Sequence, residues 1–158
     1  MGKIVTQFTI NAPAEVCFDL ARSIDLHEHS TRHTGEKAVA GITSGLIGIG
    51  QSVTWRAKHF GVWQRLTSRI TAMERPHRFT DEMVKGAFSF FHHEHLFQET
   101  TEGTLMTDTF VYGAPMGILG RIFDRLVLET YMHKLLWERN RVIKEVAESD
   151  QRLKYLGD

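Results

Sequence analysis

The sequence predicts an α+β architecture: a curved, mostly antiparallel sheet of about seven strands around one long C-terminal helix, with two short helices after the first strand. Three observations predict it. Apolar and polar residues alternate with period two in Lys3–Ile10, Gln51–Phe60 and Phe91–Phe97, the pattern of half-buried strands. The later strands are joined by short turns at Gly61, Arg75-Pro76-His77 and Thr101-Glu102-Gly103, which imply hairpins. Beyond Pro115 the only helix breakers before the tail are Gly117 and Gly120. A sheet with one apolar face needs a cover, and one long helix supplies it.

Taken in order, the first strand sets Ile4, Thr6, Phe8 and Ile10 against Lys3, Val5, Gln7 and Thr9. Asn11-Ala12-Pro13-Ala14-Glu15 starts a helix, with Asn11 or Ala12 at the cap and proline in the first turn. Ser23–Ser30 is a second short helix or turn, and Glu36–Ala40 a short strand. Gly41–Gly50 is a glycine-rich apolar connector. It lacks the Gly-Lys-Ser/Thr ending of a phosphate loop and is expected to be a mobile, greasy loop beside a pocket.

In the next strand Val53, Trp55, Ala57 and His59 share the inner face. Leu66 and Ile70 mark the inner side of Val62–Glu74. Arg78–Lys85 and Ser89–Thr100 are two more strands, split by Gly86, and Thr104–Tyr112 is the last. Leu119, Ile122, Phe123, Leu126, Thr130, His133 and Trp137 follow helical spacing, so a helix over Met116–Glu148 presents them to the sheet. At 1.5 Å per residue it is about 50 Å long. Residues 1–148 are expected to form one domain, and the polar tail Ser149–Asp158 to fray.

The chain has 158 residues, with 19 Lys and Arg against 19 Asp and Glu. A zero formal charge gives no electrostatic case for nucleic acid or an anionic membrane. Cys17 is the only cysteine, which rules out an internal disulfide and fits a reducing compartment. No stretch approaches the roughly 20 apolar residues of a membrane helix, and the N-terminus lacks the apolar core of a signal peptide. The expectation is a cytoplasmic protein, monomer or homodimer, without membrane insertion.

The chemistry concentrates in Phe91-His92-His93-Glu94-His95-Leu96-Phe97. As a strand, it places His93 and His95 between Phe91 and Phe97 on one face. Two imidazoles in an apolar wall suit a ligand cavity, a metal site or a buried hydrogen-bond network. Candidate third metal ligands are His59, Asp81 and Asp108, none fixed by spacing, and a two-histidine pair alone is incomplete for zinc. No metal and no cofactor are therefore predicted.

Met106, Asp108, Phe110 and Tyr112 share the inner face of the last strand. A buried carboxylate needs a partner, and an inward histidine such as His59 would be one. The group is read as a structural network, or as an acid–base pair with Tyr112 as donor to an oxyanion. The faces of Asp81 and Glu82 are ambiguous. His27, His29 and His33 read as surface residues near a cavity mouth. His133 is placed to touch a ligand from the helix.

Several segments resemble one superfamily. Asn11-Ala12-Pro13-Ala14-Glu15-Val16-Cys17-Phe18-Asp19-Leu20 resembles its strand-to-helix opening. Phe79-Thr80-Asp81-Glu82-Met83-Val84-Lys85-Gly86, His93-Glu94-His95-Leu96-Phe97, Gly103-Thr104-Leu105-Met106-Thr107-Asp108 and Tyr112-Gly113-Ala114-Pro115 resemble its bacterial cyclase/dehydrase-like members. This is the START, polyketide-cyclase and birch-pollen-allergen (SRPBCC) superfamily. The resemblance covers nearly the whole chain. It implies the helix-grip fold, with a cavity between sheet and helix, and leaves activity open, since fold does not decide function.

The leading expectation is a binding protein for a hydrophobic or aromatic small molecule, lipid or polyketide-like, lined by Trp55, His59, His93, His95, Tyr112 and His133. The alternative is an aromatase/cyclase or dehydratase with His93, His95 and Asp108 as candidate catalytic residues. A third reading is an interaction module whose polar network is only structural.

Overall fold

The computed structural model describes residues 1–157. Seven strands form one sheet: β1 (Gly2–Ile10), β2 (Lys37–Gly41), β3 (Ser52–His59), β4 (Val62–Glu74), β5 (Arg78–Lys85), β6 (Phe90–Thr100) and β7 (Gly103–Gly113). Their order is β1-β7-β6-β5-β4-β3-β2, and every pair is antiparallel. From β2 to β7 each strand neighbours the next in sequence. Only β1 pairs far along the chain, with Gly2 opposite Tyr112 and Ile10 opposite Thr104.

α1 (Ala14–Ala21) and α2 (Ile24–Ser30) follow β1. Pro13 itself is the cap residue of α1, with extended backbone and no side-chain cap bond, so neither Asn11 nor Ala12 serves. At α2 the Ser23 hydroxyl accepts from the Leu26 N–H at 3.2 Å, an ordinary N-cap. Cys17, Phe18 and Leu20 of α1 are fully buried against Ile10, Phe79 and Phe97. Burial pushes the Cys17 thiol up to about 11.

The β3–β4 turn is Phe60-Gly61, and both residues have positive φ, 51° and 75°. Two such residues match the twist of a tight hairpin. Glycine adopts this conformation freely, whereas Phe60 is strained in it. The Phe60 ring packs on Phe123 and Tyr131 of the helix, at centroid distances of 5.4 and 4.5 Å.

The C-terminal helix runs through α3 (Gly117–Phe123), a π-helical turn (Asp124–Leu128) and α4 (Glu129–Ala147), with right-handed backbone at both junctions. Its inward face differs from the predicted one. Leu119 and Leu126 are 72% and 73% exposed, and Ile122, Thr130, His133 and Trp137 also face outward. Gly120, Asp124, Leu128, Leu136, Arg139, Asn140, Ile143, Val146 and Ala147 are buried instead. The π turn adds a residue to the local repeat. The buried face is also anchored by polar side chains, which an apolar count passes over.

Two further expectations are corrected. The Gly41–Gly50 connector is tied down along its length: Ile24 N–H donates to Gly45 O, Ile47 N–H to Arg22 O, and Gly50 N–H to Ile70 O, at 2.9–3.2 Å. Of the tail, residues 152–156 form α5, and Tyr155 and Leu156 pack on the core beside α1. Asp158 lies outside the described residues. Among the described residues no helix is long and apolar enough to cross a membrane.

Candidate functional site

Sheet and helix enclose a cavity of about 340 Å³. The strands contribute Val53, Trp55, Ala57, Leu66, Ile70, Phe79, Phe91 and Phe110, the connector Ile47, and the helix Phe123, Leu128, Met132, Leu135 and Leu136. Within this apolar wall lie two polar groups.

The first is built by registry. Asp81 on β5 pairs with His93 on β6, and His95 pairs with Asp108 on β7. Inner faces are shared by alternate residues, so three neighbouring strands set four polar side chains together. His95 Nδ1 donates to Asp108 Oδ1 at 2.9 Å and His95 Nε2 to Asp81 Oδ1 at 3.0 Å. Ionised carboxylates only accept, so both ring nitrogens carry protons. Burial pushes His95 down, but the Asp108 charge and the hydrogen bonds from Asp108 and Asp81 outweigh it and hold the imidazole above its ordinary value.

Burial raises the Asp108 carboxyl, yet His95 and His93 hold it well below its usual range. Asp81 is lowered in the same way, against burial, by His95 and His93. His93 is pushed down, by burial first and then by the charge of His95. Its Nδ1 faces Asp81 Oδ1 at 3.8 Å and its Nε2 faces Asp108 Oδ2 at 3.4 Å. The Nε2 contact is not directed as a hydrogen bond, and this atom is the one buried side-chain nitrogen or oxygen left without a partner among the described residues.

The helix closes the cluster from behind. Asn140 Nδ2 donates to Asp108 Oδ2 at 2.9 Å and to Thr6 Oγ1 at 2.9 Å. Arg139 reaches Asp108 Oδ2 at 3.4 Å and donates to Ala21 O at 2.7 Å. One donor atom each from Asp81, His93 and His95 lie within 4.8 Å of one another, so these three can hold a metal ion.

The second polar group lies among the cavity-lining residues of α2, β3, α4 and the segment just before β2. The His27 ring packs at a tilt on Trp55, with centroids 4.2 Å apart, and pairs with Glu36 at 3.1 Å. Burial raises Glu36, but His27 holds it below the usual range. His59 Nδ1 bonds to the Tyr131 hydroxyl at 2.6 Å, and burial pushes this imidazole down.

Of the expected ligand-binding residues, Trp55, His59, His93 and His95 line the cavity. Tyr112 does not: it is completely buried in the core, where its hydroxyl donates to Asp124 Oδ1 at 2.6 Å. His133 stands on the outer side of the helix, away from the cavity lining. Asp108 stands behind the histidines, and its histidine partner is His95 rather than His59. Sequence reasoning names Asp81 only as a candidate third ligand of ambiguous face, and misses Arg139, Tyr131, His27 and Glu36 as cavity-lining groups. Asp81 has a signal: it lies two residues from inward Phe79. Arg139 has one too, three positions after Leu136 and four before Ile143, on one helical stripe.

A curved antiparallel sheet gripping a helix around an apolar cavity defines the helix-grip class. Residues 1–148 match the family model described as "Polyketide cyclase / dehydrase and lipid transport", and the chain belongs to that family. No curated protein matches the sequence. Among solved structures, protein TTHA0849 from Thermus thermophilus superposes with a TM-score of 0.70 at 18% identity, covering 92% of this chain and 99% of that one. Ginseng major latex-like protein 151 from Panax ginseng gives 0.68 at 18% identity, covering 94% and 98%. Protein CV1439 from Chromobacterium violaceum gives 0.67 at 12%, covering 95% and 100%. At these identities the likeness concerns the fold.

Proposed function

We propose that the protein binds an apolar or aromatic small molecule, lipid- or polyketide-like, in the cavity between sheet and helix. The carrying observation is a cavity with apolar walls and a polar cluster set into one side. Such pockets span roughly 300–1,000 Å³ and use a few placed polar groups to orient the ligand. Here His93 and Asp81 lie on the cavity side of the cluster, so a ligand hydroxyl or carbonyl is directed to them while its body lies against Trp55, Phe79, Phe91 and Phe110. The description of the family, which includes lipid transport, supports this reading.

The test is fluorescence quenching by 8-anilinonaphthalene-1-sulfonate. Trp55 lines the cavity, whereas Trp63 and Trp137 are exposed. Saturable quenching that disappears in Trp55→Phe is expected. Ala57 also lines the cavity and is buried, and Ala57→Phe should weaken the probe by about tenfold or more through lost space. Quenching that is absent, or indifferent to both substitutions, overturns the reading.

A further inference from the structure

We propose that Asp81, His93 and His95 bind one divalent first-row transition ion at the cavity wall, with Asp108 as the carboxylate behind both imidazoles. The proposal is independent of what fills the cavity beside it. Spacing along the chain provides no third ligand for the two histidines. Strand pairing supplies one: Asp81 lies directly across from His93.

The donor set is two imidazoles and one carboxylate, which suits zinc, cobalt or ferrous iron rather than calcium or magnesium. Ligands at 2.0–2.2 Å around an ion lie roughly 3.3 Å from one another in tetrahedral geometry. Asp81 Oδ1 stands 3.0 Å from His95 Nε2 and 3.8 Å from His93 Nδ1, and one donor from each of the three falls within 4.8 Å. Small side-chain shifts close the trio on an ion. All three residues sit on paired strands, a more rigid base than loops.

The far nitrogens argue for the same arrangement. His95 Nδ1 meets Asp108 Oδ1 at 2.9 Å, and His93 Nε2 lies 3.4 Å from Asp108 Oδ2. A ligating imidazole commonly donates its other N–H to a carboxylate, which fixes ring and tautomer. Here one carboxylate, itself held by Asn140 and Arg139, stands behind two rings. An ion on His93 Nδ1 places the proton on Nε2, and a slight rotation brings it onto Asp108. That satisfies the one buried side-chain atom without a partner among the described residues. Ion binding displaces to solvent the proton that His95 Nε2 donates to Asp81. With the imidazoles then neutral, Asp81 and Asp108 outweigh Arg139 by one negative charge. Three protein ligands leave the cavity side open for water or a ligand oxygen.

The test is titration of chelator-treated full-length protein with Co(II), read by visible d–d absorption, and with Zn(II), read by calorimetry. One equivalent is expected. His93→Ala and Asp81→Asn should each weaken the ion about tenfold or more, with circular dichroism unchanged. His95→Ala also breaks the buried Asp108 pair, so the other two variants decide the question. Failure to bind one equivalent of Co(II), or binding that both variants leave intact, overturns the proposal. The anilinonaphthalene probe is read on the same samples. Cobalt binding without probe binding sustains the metal site and removes the ligand reading, and the reverse result removes the metal site alone.

Discussion

Asp108 accepts hydrogen bonds from His95, Arg139 and Asn140 while being 1% exposed. Removing it leaves a buried guanidinium and a buried imidazolium without their counter-charge. Asp108→Ala should therefore cost about 3–5 kcal/mol, measured by urea denaturation at neutral pH. Glu36 carries a pH prediction. Its carboxyl is held below the ordinary value in the folded state, so its contribution is present above the unfolded carboxylate value, about 4.3. That contribution is lost as pH falls from there through the folded value. Glu36→Gln should narrow the difference in denaturation midpoint between pH 6 and pH 3.5, and an unchanged difference would show that the His27 pair is not coupled to folding. The histidines are legible at this scale because period two fixes which strand residues share a face. Arg139 carries only its place on the stripe between Leu136 and Ile143, and a long cation there reads as solvated until the Asp108 carboxylate behind the stripe is known.

The helix and the tail show what patterning can and cannot carry. Strand boundaries follow alternation closely, since a sheet with one buried face admits one register. Sequence pattern locates the helix to within a residue or so but misplaces its rotation. Leu119, Ile122 and Leu126 form an exposed apolar face, while Asp124 turns in to hold the Tyr112 hydroxyl. Asp124→Ala should thus destabilise by about 1–3 kcal/mol through the unpaired buried hydroxyl. Leu126→Glu should stay within about 0.5 kcal/mol. Thermal melts of the two variants decide between the rotations, and the predicted stripe would require the opposite ranking. In α5, half-buried Leu156 packs against the core, and Leu156→Ala should cost about 1 kcal/mol of lost apolar burial. A fraying tail would lose nothing in the same melt. Its apolar pair is too short for a periodic signal, which is why composition alone makes the tail look solvated.

Across the whole molecule, one sheet and one helix face leave an interior cavity, and a ligand bound there would couple that volume to stability. A ligand that binds only the folded state at a hundredfold excess over its Kd adds about 2.7 kcal/mol. Saturating probe should therefore raise the melting temperature of the native protein and leave Ala57→Phe nearly unmoved, as read by differential scanning calorimetry. The cavity as a kind of space is legible from the order of elements, whereas its polar cluster requires the pairing of β5, β6 and β7, which no local pattern encodes. The lone thiol offers a separate view of the same body. Cys17 is sealed beneath α1 and its thiol is hard to ionise, and alkylation needs an accessible thiolate. Its rate of modification by iodoacetamide, set against that of the denatured chain, then counts how often α1 lifts from the sheet. The chain carries its own clock for local opening, readable without any added label.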